Sequence, residues 1–131
     1  MMTDMSGPSP FADLDGLSAQ RIWEGVVGRV VEGDRVTLVV IELDPESLVP
    51  EHSHENEQVG VLINGLLEFR IGEESRRVGP GGTWCIPANV PHEVRTGPEG
   101  AVAVEVFAPP RADWAALEQL EGRSPRWPAT D

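Results

Sequence analysis

Two of the chain's three histidines, His52 and His54, stand one residue apart, and the third, His92, follows a Val90-Pro91 pair. In an extended segment, side chains two residues apart point the same way, so both imidazoles of the pair can reach one point. Gln58, at the start of the next apolar run, adds an amide oxygen. Three ring nitrogens and one oxygen make a donor set for a divalent metal and leave coordination positions open. The same residues also read as a solvated acidic loop, since Glu51, Glu55 and Glu57 surround the pair.

Composition removes many other chemistries. The 131 residues suit one domain. Lysine is absent, which excludes a Schiff-base amine and a phosphate-loop lysine. Tyrosine is absent too, and with it phenolic acid catalysis. The net charge of −12, from 22 acidic residues against ten arginines, leaves no basic face for nucleic acid or an anionic membrane. No apolar run approaches the roughly 18 residues of a membrane span. The single Cys85, inside a Trp-Cys-Ile run, reads as a buried, inert thiol. Such cysteine usage, and a start without a basic-then-apolar signal, lead us to expect a cytoplasmic protein.

The elements that must position the histidines are short and turn-bounded. Residues 1–18, including Ser6-Gly7-Pro8-Ser9-Pro10, read as a loose N-terminal arm. Ile22 to Val31 and Arg35 to Leu43 are valine- and isoleucine-rich strands joined at Glu32-Gly33-Asp34. Val59 to Ile63 and Leu66 to Ile71 flank Asn64-Gly65, which predicts a tight hairpin because both turn positions need positive φ. Arg76 to Val78, Thr83 to Ile86, His92 to Thr96 and Ala101 to Phe107 complete an all-β barrel or sandwich of about eight or nine strands. A short C-terminal helix is expected from Pro110, with Trp114 and Leu117 on one face and Gly122 as its stop. The barrel domain with this helix spans 19–122, and 123–131 reads as a tail.

The segment Pro50-Glu51-His52-Ser53-His54-Glu55-Asn56-Glu57-Gln58, with six further residues to Gly65, resembles the first motif of the cupins. The segment Gly82-Thr83-Trp84-Cys85-Ile86-Pro87-Ala88-Asn89-Val90-Pro91-His92 resembles the second. The likeness covers roughly Arg35 to Arg111. It implies a jelly-roll β-barrel holding one divalent ion (Zn, Mn, Fe, Co or Ni) through His52, His54, Gln58 and His92. It also implies a homodimer, paired through a strand such as Ile22 to Val31, whose successive valines ask for cover on both faces. Many cupins carry glutamate where this chain has Gln58. A wholly neutral ligand set leaves the charge of the ion uncompensated and favours Lewis-acid work on a substrate oxygen.

In Ala101 to Phe107, Glu105 is the one charge, and Glu105 and Phe107 share a face by strand alternation. With Arg111 they resemble the pocket edge of the pectin-degradation cupins of the KdgF type, although the acidic residue there is usually aspartate. That likeness implies that Glu105 moves protons, Phe107 forms a sugar-facing wall and Arg111 grips a carboxylate through its planar fork. The plainer readings are a solvent-facing Glu105, a core Phe107 and an Arg111 that pairs with Asp113 or caps the helix. Trp84 and Trp23 read as core or interface aromatics, and Arg70 as part of a solvated face. The expected function is a metal-dependent enzyme that isomerises, tautomerises or ring-opens a small sugar acid or keto acid. A metal-dependent dioxygenase and a non-catalytic small-molecule sensor are the alternatives.

Overall fold

The computed structural model describes residues 9–128 and is built almost wholly of antiparallel strands. In chain order these are β1 (Ala19–Trp23), β2 (Val26–Glu32), β3 (Thr37–Leu43), β4 (Leu48–His52), β5 (Glu57–Ile71), β6 (Glu74–Val78), β7 (Thr83–Ile86), β8 (His92–Ala108) and β9 (Gln119–Leu120). The two long strands each serve two layers. The first halves of β5 and the last half of β8 pair with each other and carry β7, β3, β2, β1 and β9 outward. The remaining halves pair with β6 and β4. Ile41 and Leu43 of one layer and Val49, Phe69 and Val94 of the other fill the core between them.

Asn64-Gly65 is the joint between the layers, and here the hairpin reading is wrong. β5 runs straight through, while its register against β8 slips between Leu62 and Asn64 and again between Gly65 and Leu67. Residues 97–100 of β8 bulge out where Thr96 faces Leu67 and Ala101 faces Gly65. Gly65 takes a φ of +92°, and a Cβ there would stand 2.2 Å from the Gly100 carbonyl oxygen. Of the two positions expected at positive φ, Gly65 takes it and Asn64 does not, and at Gly65 it serves a bulge that bends two strands rather than a turn.

Two further expectations change. Ile22 to Val31 is not one strand, because Glu24-Gly25 turns the chain and β1 folds back on β2. The C-terminal helix is a 3₁₀ turn, Ala112–Ala116, and β9 follows it and pairs with β1. Pro110 and Trp114 shape that turn, but pairing with β1 stops a helix well before Gly122. Of the expected arm, residues 1–8 lie outside the described residues, and the 3₁₀ turn Leu14–Gly16 sits in the rest. Of the expected tail, residues up to 128 are described, and Arg123 and Arg126 lie against Arg29 and Glu42 on the outside of the sheet. No helix among the described residues is long and apolar enough to cross a membrane.

Candidate metal centre and pocket

His52 ends β4, and His92, its register partner, opens β8. His54 lies beyond the end of β4, so the turning of the 53–56 loop, rather than strand alternation, brings it round. That loop is tied down from both sides. The His54 carbonyl accepts from the Asn89 amide at 2.7 Å, and the Asn56 side chain donates to the Pro109 carbonyl at 2.6 Å. Asn89 sits at a φ of +66°, a conformation asparagine tolerates better than most residues. The ligating atoms of His52, His54 and His92 fall within 4.8 Å of one another, a group that could hold a metal ion.

The hydrogen bonding of the rings fits that role. Each Nδ1 lies 2.9 Å from a backbone carbonyl: Pro50 for His52, Asn56 for His54 and Val90 for His92. A carbonyl can only accept, so each Nδ1 carries the proton and each Nε2 presents a lone pair. The buried His92 Nε2 has no protein partner, an orphan that a cation would satisfy. Burial holds His92 down to about 4 and also lowers His54, with the Arg111 guanidinium adding to it, so these two rings are neutral near pH 7. Gln58, buried at the start of β5, places its Oε1 3.1 Å from His54 Nε2. The amide oxygen therefore stands with the histidines, as the spacing to Gly65 predicts.

Gln58 also connects the ligands to Glu105. Its amide nitrogen donates to Glu105 Oε2, and the Trp84 indole donates to the same oxygen at 2.8 Å. Glu105 is buried on the inner face, opposite Gly60 on β5, which in turn faces Trp84 on β7. Gly60 explains the contact: a Cβ there would lie 2.6 Å from the indole ring, so the missing side chain is the space Trp84 occupies. Burial pushes the Glu105 carboxyl up, against the opposing pull of the two donated hydrogen bonds. Glu105 thus does not face solvent. Trp84 was legible only as a core aromatic, and nothing local in the sequence points from it to Glu105.

Phe107 is both core and wall. It packs edge-on to His54 with ring centres 5.7 Å apart and against Trp114 at 5.0 Å. Arg111 stacks over both rings, 5.0 Å from the Phe107 centre and 4.4 Å from that of Trp114. Its Nε and Nη2 reach Asp113 at 3.1 and 2.9 Å, so much of its fork is engaged within the chain. Together with His52, Gln58, His92 and Glu105, Phe107, Arg111 and Trp114 line a cavity of about 70 Å³ at the heart of the barrel. Arg70, by contrast, pairs with Glu51 and Glu93 on the outer face. Cys85 is exposed, which corrects the buried-thiol reading: Trp84 and Ile86 turn inward, and strand alternation sends the residue between them out.

Residues 39–107, more than half of the chain, match the model of the cupin domain, and the chain belongs to the cupin family. A search among curated protein sequences gave no match. Among solved structures, an RmlC-like cupin from Shewanella frigidimarina superposes with a TM-score of 0.75 at 20% identity, covering 83% of this chain and 98% of that one. KdgF from Halomonas sp. gives 0.74 at 22% identity, with 81% and 98% covered. Oxalate decarboxylase from Bacillus subtilis, a protein with Mn(II) centres, gives 0.68 at 20% identity, with 89% of this chain and 35% of that one covered. At such identities the likeness is one of fold.

Proposed function

We propose that this cupin is a metal-dependent enzyme that isomerises, tautomerises or ring-opens a small sugar acid or keto acid, with Glu105 carrying the proton. The observation behind this reading is the setting of Glu105. It is a buried carboxyl beside the ligand set, aimed by two neutral donors rather than locked by a cation. His52, His54, Gln58 and His92 would hold a divalent ion, for which Zn, Mn, Fe, Co and Ni are all suitable, and it would supply Lewis-acid polarisation of a substrate carbonyl or hydroxyl oxygen. Burial favours the protonated carboxyl at higher pH than for an ordinary glutamate, which brings it closer to the working range of a general acid and base. In this reading Glu105 takes a proton from one substrate atom and returns it to another. Arg111 meets the substrate carboxylate through Nη1, which has no protein acceptor among the described residues, or by exchanging Asp113 for it.

Solvent deuterium entering the carbon beside the carbonyl of small oxo acids, followed by NMR on metal-loaded protein, tests the proton role. Glu105→Gln should slow that exchange by ~100-fold or more, the usual share of a general acid or base, while metal content stays unchanged. An unchanged rate removes Glu105 from the chemistry.

The homodimer belongs to the same proposal. Across the outer face, Val31, Leu38, Val106 and Val59 stand opposite one another in register on four strands. Val31 is 49% and Val59 41% exposed, an apolar row that a second copy would cover. Val59→Glu should then halve the mass seen by light scattering, and a monomeric wild type at micromolar concentration ends the idea.

A further inference from the structure

Beyond the ligand set, the cavity is almost without polar groups. Of its eighteen lining residues, thirteen are aliphatic or aromatic, and His52, Gln58 and His92 belong to the candidate metal centre. Apart from the indole N–H groups of Trp23, Trp84 and Trp114, that leaves Glu105 and Arg111. Both are engaged already, Glu105 by Gln58 and Trp84, and Arg111 by Asp113. Among the described residues, no serine, threonine, asparagine or aspartate lines the chamber. The walls facing the histidines are hydrocarbon: Val26, Ile41 and Leu43 from one layer, Val49, Leu67 and Val94 from the other. The space is also small. The cavity volume is about 70 Å³.

We infer that the substrate is a short oxo acid with a hydrocarbon body, and that polyhydroxylated acids of the same charge are excluded. This inference rests on the proposed metal-dependent acid chemistry and chooses within it. A hydroxyl carried into this chamber gives up its water hydrogen bonds and meets valine, leucine and isoleucine. The loss is about tenfold or more in affinity for each hydroxyl left unpaired. A hydrocarbon body of about three to five carbons meets no such loss, and its methyl groups gain from burial against the same walls. Its oxygens stay at the one polar end, where the histidines, Gln58, Glu105 and Arg111 converge.

Calorimetry on Zn(II)- or Mn(II)-loaded protein, comparing 3-methyl-2-oxobutanoate with D-galacturonate, tests the inference by binding alone. The branched oxo acid should bind ~100-fold tighter or more. Val49→Thr, which keeps the wall's shape but adds a hydroxyl, should narrow that gap by loosening the oxo acid and easing the sugar acid. Equal or tighter binding of galacturonate overturns the hydrocarbon-body inference and leaves the acid-processing reading standing. If neither acid binds while the metal is retained, the acid reading itself fails and takes the inference with it.

Discussion

Two buried glutamates on this sheet have opposite company. Glu42, on the outer face of β3, receives Arg29 Nη1 at 3.2 Å, the Arg126 backbone amide at 2.8 Å and Arg126 Nε at 3.3 Å. Arg29 is itself buried and donates to the Arg123 carbonyl, so the cluster pins the C-terminal segment to β2 and β3. Glu105, on the inner face of β8, receives only an amide and an indole. A carboxylate between guanidinium groups is committed to one geometry by charged partners. A carboxyl held by neutral donors is aimed as firmly but can still gain or lose a proton. The outer cluster is built for attachment and the inner one for exchange, although both lie on one antiparallel ladder.

The largest effect should come from breaking the outer cluster. Glu42→Ala leaves Arg29 buried without its partner, which costs on the order of 3–5 kcal/mol. Urea denaturation should show that loss, with metal stoichiometry unchanged in the folded fraction. A loss within error of zero would mean that Arg29 finds water or another acceptor.

Gly60→Ala sharpens the inner side. The added methyl displaces the Trp84 indole, one of the two donors to Glu105. Turnover should fall by about tenfold, the equivalent of one lost hydrogen bond of about 1.4 kcal/mol, with the metal kept. A variant with full activity would show that Gln58 alone aims the carboxyl.

The pH dependence of the metal-free protein sharpens the comparison further, because the two inner groups differ in sign. His92 titrates at about 4 in the folded chain against an ordinary 6.5, so the unfolded chain takes up the proton first. Stability from this source is complete above about pH 6.5 and drains away as the pH falls toward 4. Glu105 acts oppositely: its raised pKa means that acidification relieves a buried charge. Metal-free Glu105→Gln should therefore melt no lower than the wild type near pH 8, yet lose more on going to pH 5. Thermal melts at the two pH values decide this, and parallel curves would mean that Glu105 contributes nothing to the acid limb.

Much of this protein was set by local signals. Valine-rich runs between Gly, Pro and Asp turns made it all-β, and the His52 to Gly65 and Gly82 to His92 segments pointed, through their likeness to the cupin motifs, to the candidate ligands. Gln58 was legible because a fixed count of residues along one chain places it. Asn64-Gly65 was legible only in part: its φ preference is intrinsic, but whether that bends a strand or ends it depends on the partner strand. Only the tertiary structure could decide cross-strand matters. It placed Gly60 beneath Trp84 so that the indole reaches Glu105, and it put Arg29, Glu42 and Arg126 together from three distant segments. It also turned Cys85 outward between two buried neighbours. The physical reason is the same in each case. A turn or a ligand motif draws its preference from adjacent residues, whereas register and face are fixed by backbone hydrogen bonds to segments far along the chain.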